Sequence, residues 1–252
     1  MRLDIFLVEK GFFPSREKAK LAIVDGKVTV NNKIRDKASF ETEETDNVEV
    51  AENTLLKYVS LGGMKLEKAI ETFDFDFKGK KVLDIGASTG GFTDCALQHG
   101  ADFVFAVDVG TEQLHESLHA HEQIQSFENQ NIRDFVLPEK VEVIVMDVSF
   151  VSQTTFFPDL NNFLTEDGTV ISLIKPQFEL DQRIRFSNGI VIDKKLHLKV
   201  LKNIVTAAGK NGLYIQGICV APIFPKKNIE YLAIFSNTKA AKVMDLKKFV
   251  GL

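Results

Sequence analysis

The stretch KKVLDIGASTGGFTD, from Lys80 to Asp94, constrains the fold of this 252-residue chain more than any other. A run of strand character, KVLDI, enters a turn in which Gly86, Gly90 and Gly91 fall within six positions, and the chain then leaves with a helical pattern. Strand, glycine turn and helix make the unit from which parallel α/β sheets are assembled. Further apolar runs follow at FVFAVDV, VEVIVMDV, TVISLIK, YIQGICVA and IEYLAIF, separated by helical or loop stretches. The alternation predicts an α/β domain with a mostly parallel, doubly wound sheet and helices on both faces. Ligands of such sheets sit beyond the carboxyl ends of the strands, where the strand order reverses, and the glycine turn lies at that edge.

The letters of the turn bear on the ligand. A dinucleotide site spells G-x-G-x-x-G and receives a pyrophosphate at the helix start. Here the turn reads G-A-S-T-G-G and follows an acidic residue, Asp84, inside the strand. A carboxylate there repels a pyrophosphate and suits the ammonium of a methionine moiety. The next strand ends in Asp108, placed to accept the two ribose hydroxyls of an adenosine. Asn131 and Ile132, in ENQNIRDF, offer amide and backbone groups to an adenine edge. Together these residues favour S-adenosylmethionine over a nicotinamide dinucleotide.

The first fifty or so residues differ in character. Leu3, Phe6 and Leu7 recur at helical spacing before Gly11, and Ser15 is suited to cap a second helix that runs to Val24 before Gly26. KVTV predicts a strand, Asn31-Asn32 a tight hairpin turn and VEV, from Val48, a returning strand. Residues 1–37 hold nine basic side chains, Arg2, Lys10, Arg16, Lys18, Lys20, Lys27, Lys33, Arg35 and Lys37, against five acidic ones. A solvated helix face and a phosphate-contacting RNA module both fit that excess. The order of RLD, Leu7, SREKAK, Ile23, DGKVTVNN and DNVEV resembles the alpha-L RNA-binding domain, which implies RNA contact by Arg2, Arg16, Lys18, Lys20 and Lys27. Asn32 stands where that domain usually has glycine, and asparagine also tolerates positive φ. The expected organisation is an α+β RNA-binding domain over 1–54, a linker over 55–60 and the α/β domain over 61–252.

Composition sets outer bounds. A formal net charge of −4 argues against a protein that coats nucleic acid over its whole surface. Cys95 and Cys219, the only cysteines, are too few for a disulfide framework or a zinc cluster. Asp4, Glu9 and Lys10 interrupt the apolar start, and no run reaches about 18 apolar residues, so the expectation is a cytoplasmic protein without a membrane partner. His115, His119 and His121 cluster without the glutamate or further ligands of a zinc site, so no metal is expected. Val243, Leu246 and Val250 predict a C-terminal helix packed on the sheet.

The motifs KVLDIGASTGGFTD and AVDVG resemble the FtsJ-type methyltransferases. Nearly end to end, the chain resembles the TlyA (haemolysin-A-like) family, which joins an alpha-L module to that domain. The resemblance implies a Rossmann-like class I methyltransferase that uses S-adenosyl-L-methionine to methylate ribose 2′-hydroxyls of ribosomal RNA, typically cytidines of the small- and large-subunit RNAs. Ribosomal RNA or ribosomal subunits would be the partner; no protein partner follows from the sequence. The implied cofactor residues are Asp84, Gly86, Ala87, Ser88, Thr89, Gly90, Gly91, Phe92, Asp108, Val109, Asn131, Ile132 and Asp147. The family's K-D-K-E tetrad falls on Lys65, Asp147, Lys175 and Glu230. Lysine and aspartate at the tips of apolar strands are costly unless paired, so a structural salt bridge is the competing reading of each residue alone. Leu61 departs from an arginine usual in the family, which puts RNA affinity in doubt, and PIFPKKN offers Lys226 and Lys227 to phosphate instead of the usual glycines. A membrane-active haemolysin and a non-catalytic RNA binder are the alternatives.

Overall fold

The computed structural model describes residues 1–24, 26–51, 57–181, 186, 189–224, 227–239 and 244–251. Residues 52–56, which hold the predicted domain junction at 54/55, lie outside the described residues, as do Lys226 and Val243.

The N-terminal unit packs α1 (Leu3–Glu9) and α2 (Arg16–Val24) on a three-stranded antiparallel sheet ordered β2-β1-β3, with β1 Val28–Val30, β2 Lys33–Ile34 and β3 Val48–Val50. Asn31 and Asn32 both take positive φ, 53° and 61°, as a two-residue hairpin between Val30 and Lys33 requires. Leu3, Leu7, Ala19, Ala22, Ile23, Val28 and Val30 close a small core. Leu61, Met64 and Phe224 of the larger domain pack against that same core. Leu61 is thus part of an apolar joint between the two units.

The larger unit is built on seven strands ordered β6-β5-β4-β7-β8-β10-β9. They are β4 Lys81–Ile85, β5 Phe103–Val107, β6 Ile124–Phe127, β7 Val141–Met146, β8 Leu164–Ile174, β9 Tyr214–Val220 and β10 Tyr231–Ser236. β4 to β8 pair in parallel, while β10 runs antiparallel between β8 and β9. The interiors of β4, β5 and β7 are buried on both faces, as a covered parallel sheet demands. The chain steps outward from β4 to β6, then returns to place β7 on the other side of β4. The order therefore reverses between the carboxyl ends of β4 and β7.

Helices α3 (Leu61–Phe73) and α4 (Gly91–Gln98) cover one face, with Leu66, Ala69, Phe92 and Ala96 in the core. The other face is covered by α6 (Phe157–Phe163) and α8 (Lys194–Lys210), whose Leu160, Val200, Leu201 and Ile204 fill a second cluster. Two short helices, α5 (Glu116–His119) and α7 (Pro176–Glu179), sit at loops. The C-terminal helix expected from Val243 onward is confined, among described residues, to α9 (Lys247–Val250). Val250 is buried and Leu246 and Phe249 pack on the same core. The strand β6 escapes the apolar-run reading because Gln125 and Ser126, at an exposed edge, interrupt it.

Candidate active site

The glycine turn joins β4 to α4 at the reversal point. Gly90 caps α4 at φ 90°, and a Cβ there would meet Leu118 and Leu114 at 2.4 and 2.7 Å. A Cβ on Gly91 would lie 2.1 Å from Ser60 Oγ, which caps α3 by accepting from Gly62 N. These two glycines let two helix starts converge on the end of β4.

Two adjoining cavities open there. The larger, about 550 Å³, is lined among others by Gly86, Ser88, Asp108, Val109, Asn131, Ile132 and Asp147. The smaller, about 200 Å³, is lined by Ser60, Gly62, Gly86, Ala87, Ser88, Thr89, Gly91, Phe92, Asp147, Ser149 and Lys175. Gly86, Ser88, Asp147 and Ser149 border both. Of the expected cofactor residues, Gly90 and Asp84 line neither: Gly90 turns toward Leu114 and Leu118, and Asp84 lies beneath the turn.

Asp84 is fully buried. Its Oδ2 accepts from Thr93 Oγ1 at 2.6 Å and its Oδ1 has no partner. Burial pushes its carboxyl up to about 7; the Thr93 hydrogen bond opposes this and the nearby Asp147 and Asp108 add to it. Asp108 accepts from Ser88 N and Gly110 N, each at 2.8 Å, and so fixes the turn as well as lining the cavity. Asn131 Oδ1 accepts from Arg133 N at 3.1 Å.

The tetrad positions form two pairs. Lys175, at the end of β8, places Nζ 2.6 Å from Asp147 Oδ1, a charge contact outside hydrogen-bonding alignment, and donates to Ser149 Oγ at 2.7 Å. Lys175 is 9% exposed yet borders the smaller cavity. Lys65 on α3 donates to Glu230 Oε2 at 2.7 Å, and Gln177 Nε2 lies 3.3 Å from Glu230 Oε1. Neither Lys65 nor Glu230 lines a described cavity; Gln177, two residues after Lys175, links their pair to the start of α7.

Sequence reasoning missed Ser149 and Ser60. Ser149 follows Asp147 by two residues, the spacing that returns a side chain to the same side of an extended segment. Ser60 announces itself only as a helix cap. Also unforeseen is the pair Phe150 and Phe178, whose ring centroids lie 4.9 Å apart at the rim; Lys175 Nζ is 5.8 Å from the Phe178 ring.

The basic residues of the N-terminal unit divide. Arg2 Nε, Arg16 Nη2 and Lys20 Nζ lie 2.9, 2.8 and 3.8 Å from the carboxylate of Asp4, which is fully buried while their own side chains are about half exposed. Burial acts to raise the Asp4 carboxyl, but hydrogen bonds and charge from Arg2 and Arg16 outweigh it and the net shift is downward. Lys18 is different. Only 4% exposed, it donates to the Tyr58 carbonyl, and desolvation lowers its pKa against the opposing charge of Asp94. Expected as a phosphate contact, it is instead a strut into the segment preceding α3. Lys27 is half-buried, and Lys227 pairs with Glu17 at 2.8 Å. His115 caps α5 and His119 contacts the Leu114 carbonyl; among the described residues no group of three potential ligands is arranged for a metal.

A cationic, nucleoside-bearing methyl donor suits this arrangement. Asp84 leaves a buried carboxyl oxygen unpartnered beneath the turn, Asp108 and Asp147 add carboxylates on the cavity walls, and the two cavities share Gly86 and Ser88 in their linings.

Comparison with known proteins agrees with this geometry. Residues 58–237 match the FtsJ-like methyltransferase family and residues 1–48 the S4 domain. Hemolysin A of Brachyspira hyodysenteriae is 42% identical over 241 residues, covering 93% of this chain and 99% of that one. The 16S/23S rRNA (cytidine-2′-O)-methyltransferase TlyA of Mycobacterium tuberculosis is 32% identical over 251 residues, covering 98% and 93%. The solved structure of a "putative hemolysin" from Streptococcus thermophilus superposes with a TM-score of 0.78 at 35% identity, covering 100% of this chain and 94% of that one.

Proposed function

The chain belongs to the FtsJ-like methyltransferase family and carries an S4 domain ahead of that unit, and from this premise we propose that it methylates ribose 2′-hydroxyls of cytidine in ribosomal RNA, with S-adenosylmethionine as donor. The observation that carries the reading is Lys175, a nearly buried amine held by Asp147 and Ser149 on the wall shared with the glycine turn.

When bound, the donor supplies a methyl group on a sulfonium whose leaving group departs neutral. The chain's task lies at the other reactant, since a ribose hydroxyl is a weak nucleophile. Lys175 Nζ would donate to the hydroxyl oxygen and stabilise negative charge as the O–H proton is lost to solvent and the O–CH₃ bond forms. Asp147 and Ser149 hold Lys175 in place. Asp108 and Asp147, with Gly86, Ser88, Asn131 and Ile132, would hold the donor, with Asp84 acting on it from beneath the turn, and the Lys65–Glu230 pair would orient the ribose from the α3 side.

Recognition of RNA falls to Arg2, Arg16 and Lys20, whose cationic heads Asp4 gathers on one surface, and to half-buried Lys27; phosphate contacts of this kind position an RNA without reading its sequence. Ribosomal RNA, free or within a ribosomal subunit, is the proposed substrate. Among the described residues no helix is long and apolar enough to cross a membrane.

The test is transfer of label from methyl-tritiated S-adenosylmethionine to ribosomal subunits purified from cells lacking the protein. Label in the RNA with wild type, and none with Lys175→Ala that still binds the donor, supports the reading. No label on either subunit despite donor binding contradicts it.

A further inference from the structure

Lys175 and Asp147 sit on different loops, and the ladder between β7 and β8 ends at the pair Met146–Ser172, short of both. Beyond that ladder, residues 147–155 carry Asp147, Ser149 and Phe150, while residues 175–179 carry Lys175 and Phe178. A contact between the loops has to be held by something other than the sheet.

Glu179, at the end of α7, supplies it. Its Oε2 accepts from Ser152 Oγ at 2.5 Å and its Oε1 from Gln153 N at 2.9 Å. Gln153 is fully buried, and its Oε1 accepts from Ser172 Oγ on β8, three residues before Lys175. Ser152 itself caps the turn Gln153–Thr155. The result is a closed loop of bonds: from β8 through Gln153 and Glu179, back along α7 to Lys175. Both oxygens of Glu179 are spent on the neighbouring loop. Burial raises its pKa despite the hydrogen bonds from Ser152 and Gln153, so an ionised carboxylate at this place costs stability rather than adding it.

We infer that Glu179 is a positioning residue for methyl transfer: it ties the loop after β7 to the helix after β8 and so sets the distance between Lys175 and Asp147–Ser149. The inference rests on the methyl-transfer reading for its consequence, though not for its geometry.

Two measurements separate these. Hydrogen exchange of Glu179→Ala should quicken in residues 149–155 and 176–180 and stay as in wild type in the glycine turn and α4, whether or not transfer is ever seen. In the transfer assay, Glu179→Ala should lower kcat by about 10- to 100-fold, with donor affinity and the KM for RNA nearly unchanged, because a displacement near 1 Å costs on that order. Glu179→Gln can still accept from Gln153 N and can donate to a rotated Ser152 hydroxyl, so it should restore most of kcat. Ser152→Ala, which removes one leg, should fall between and serves if Glu179→Ala fails to fold. Wild-type kcat in both Glu179→Ala and Ser152→Ala, or unchanged exchange in 149–155, would overturn the inference. Absence of transfer by the wild type, with exchange altered as described, would sink the methyl-transfer reading and leave the strut standing.

Discussion

Two fully buried carboxylates, Asp4 and Asp84, live by opposite rules. Asp4 is ringed by Arg2, Arg16 and Lys20, and its pKa is driven down. Asp84 has a single neutral donor, Thr93, two further carboxylates nearby and an unpartnered oxygen, and its pKa is driven up to about 7. The protein satisfies the first charge itself, with cations whose own side chains stay about half exposed. The second it leaves with one unpartnered oxygen beneath the glycine turn, where the proposed reading puts the cationic end of the donor nearby. On the proposed reading, the first carboxylate organises the side that meets RNA and the second lies under the pocket that takes the methyl donor.

The comparison breaks most visibly at the residue that joins the two substrates. Lys175→Ala should lower methyl transfer by about 10³-fold or more, within the range for loss of a proton-handling or charge-stabilising group, while the donor dissociation constant moves little. Equal losses in both would make Lys175 a structural group.

Next in size is the removal of Asp4. Asp4→Ala leaves three cations gathered without their anchor, and RNA affinity should drop about tenfold as they disperse. The sign of its pH effect is fixed by the lowered pKa: the Asp4 contribution to stability is present above the ordinary carboxylate range, near 4, and is lost as pH falls through the lower folded value. Acid unfolding followed by circular dichroism should shift to higher pH in the variant.

Asp84 gives the mirror result. Its folded pKa is raised, so its contribution to stability is full below about 4 and is lost as pH rises through about 7. A cationic donor favours the ionised form, so donor affinity should climb by up to about tenfold per pH unit below 7 and level off above it. Asp84→Asn should flatten that profile in a calorimetric titration. A wild-type profile already flat from pH 5.5 to 8 would remove the contrast with Asp4.

The smallest effects sharpen the RNA side. Arg2→Ala and Arg16→Ala should each reduce the slope of log affinity against log salt by about 0.7 to 0.9, the value for one phosphate contact. Lys18→Met should leave the slope unchanged, because Lys18 is buried against the Tyr58 carbonyl.

The sequence made the glycine turn and the strand-tip residues legible for one reason: each is local. Asp108, Asp147 and Lys175 close apolar runs and Asp84 interrupts one, and a charge at such a place stands out against its neighbours. Lys18 looked like its neighbours Arg16 and Lys20, and only the approach of residues 57–60 from the other unit makes it a buried strut. Leu61 stands out along the chain only as a missing cation, and its place against the N-terminal core depends on how the two units meet. Ser149 and Glu179 acquire their roles from contacts across two loops, which no spacing along the chain encodes. Strand β6 was lost because its pairing with β5, rather than its own apolar content, makes it a strand.

The most direct test of the central claim is the chemical position of the transferred methyl group. Ribosomal RNA labelled by the wild-type protein would be hydrolysed in alkali and its products separated. The account predicts label in an alkali-resistant dinucleotide beginning with cytidine, since a methylated 2′-oxygen cannot attack the adjacent phosphate. Label in mononucleotides, with the methyl on a base, would contradict it.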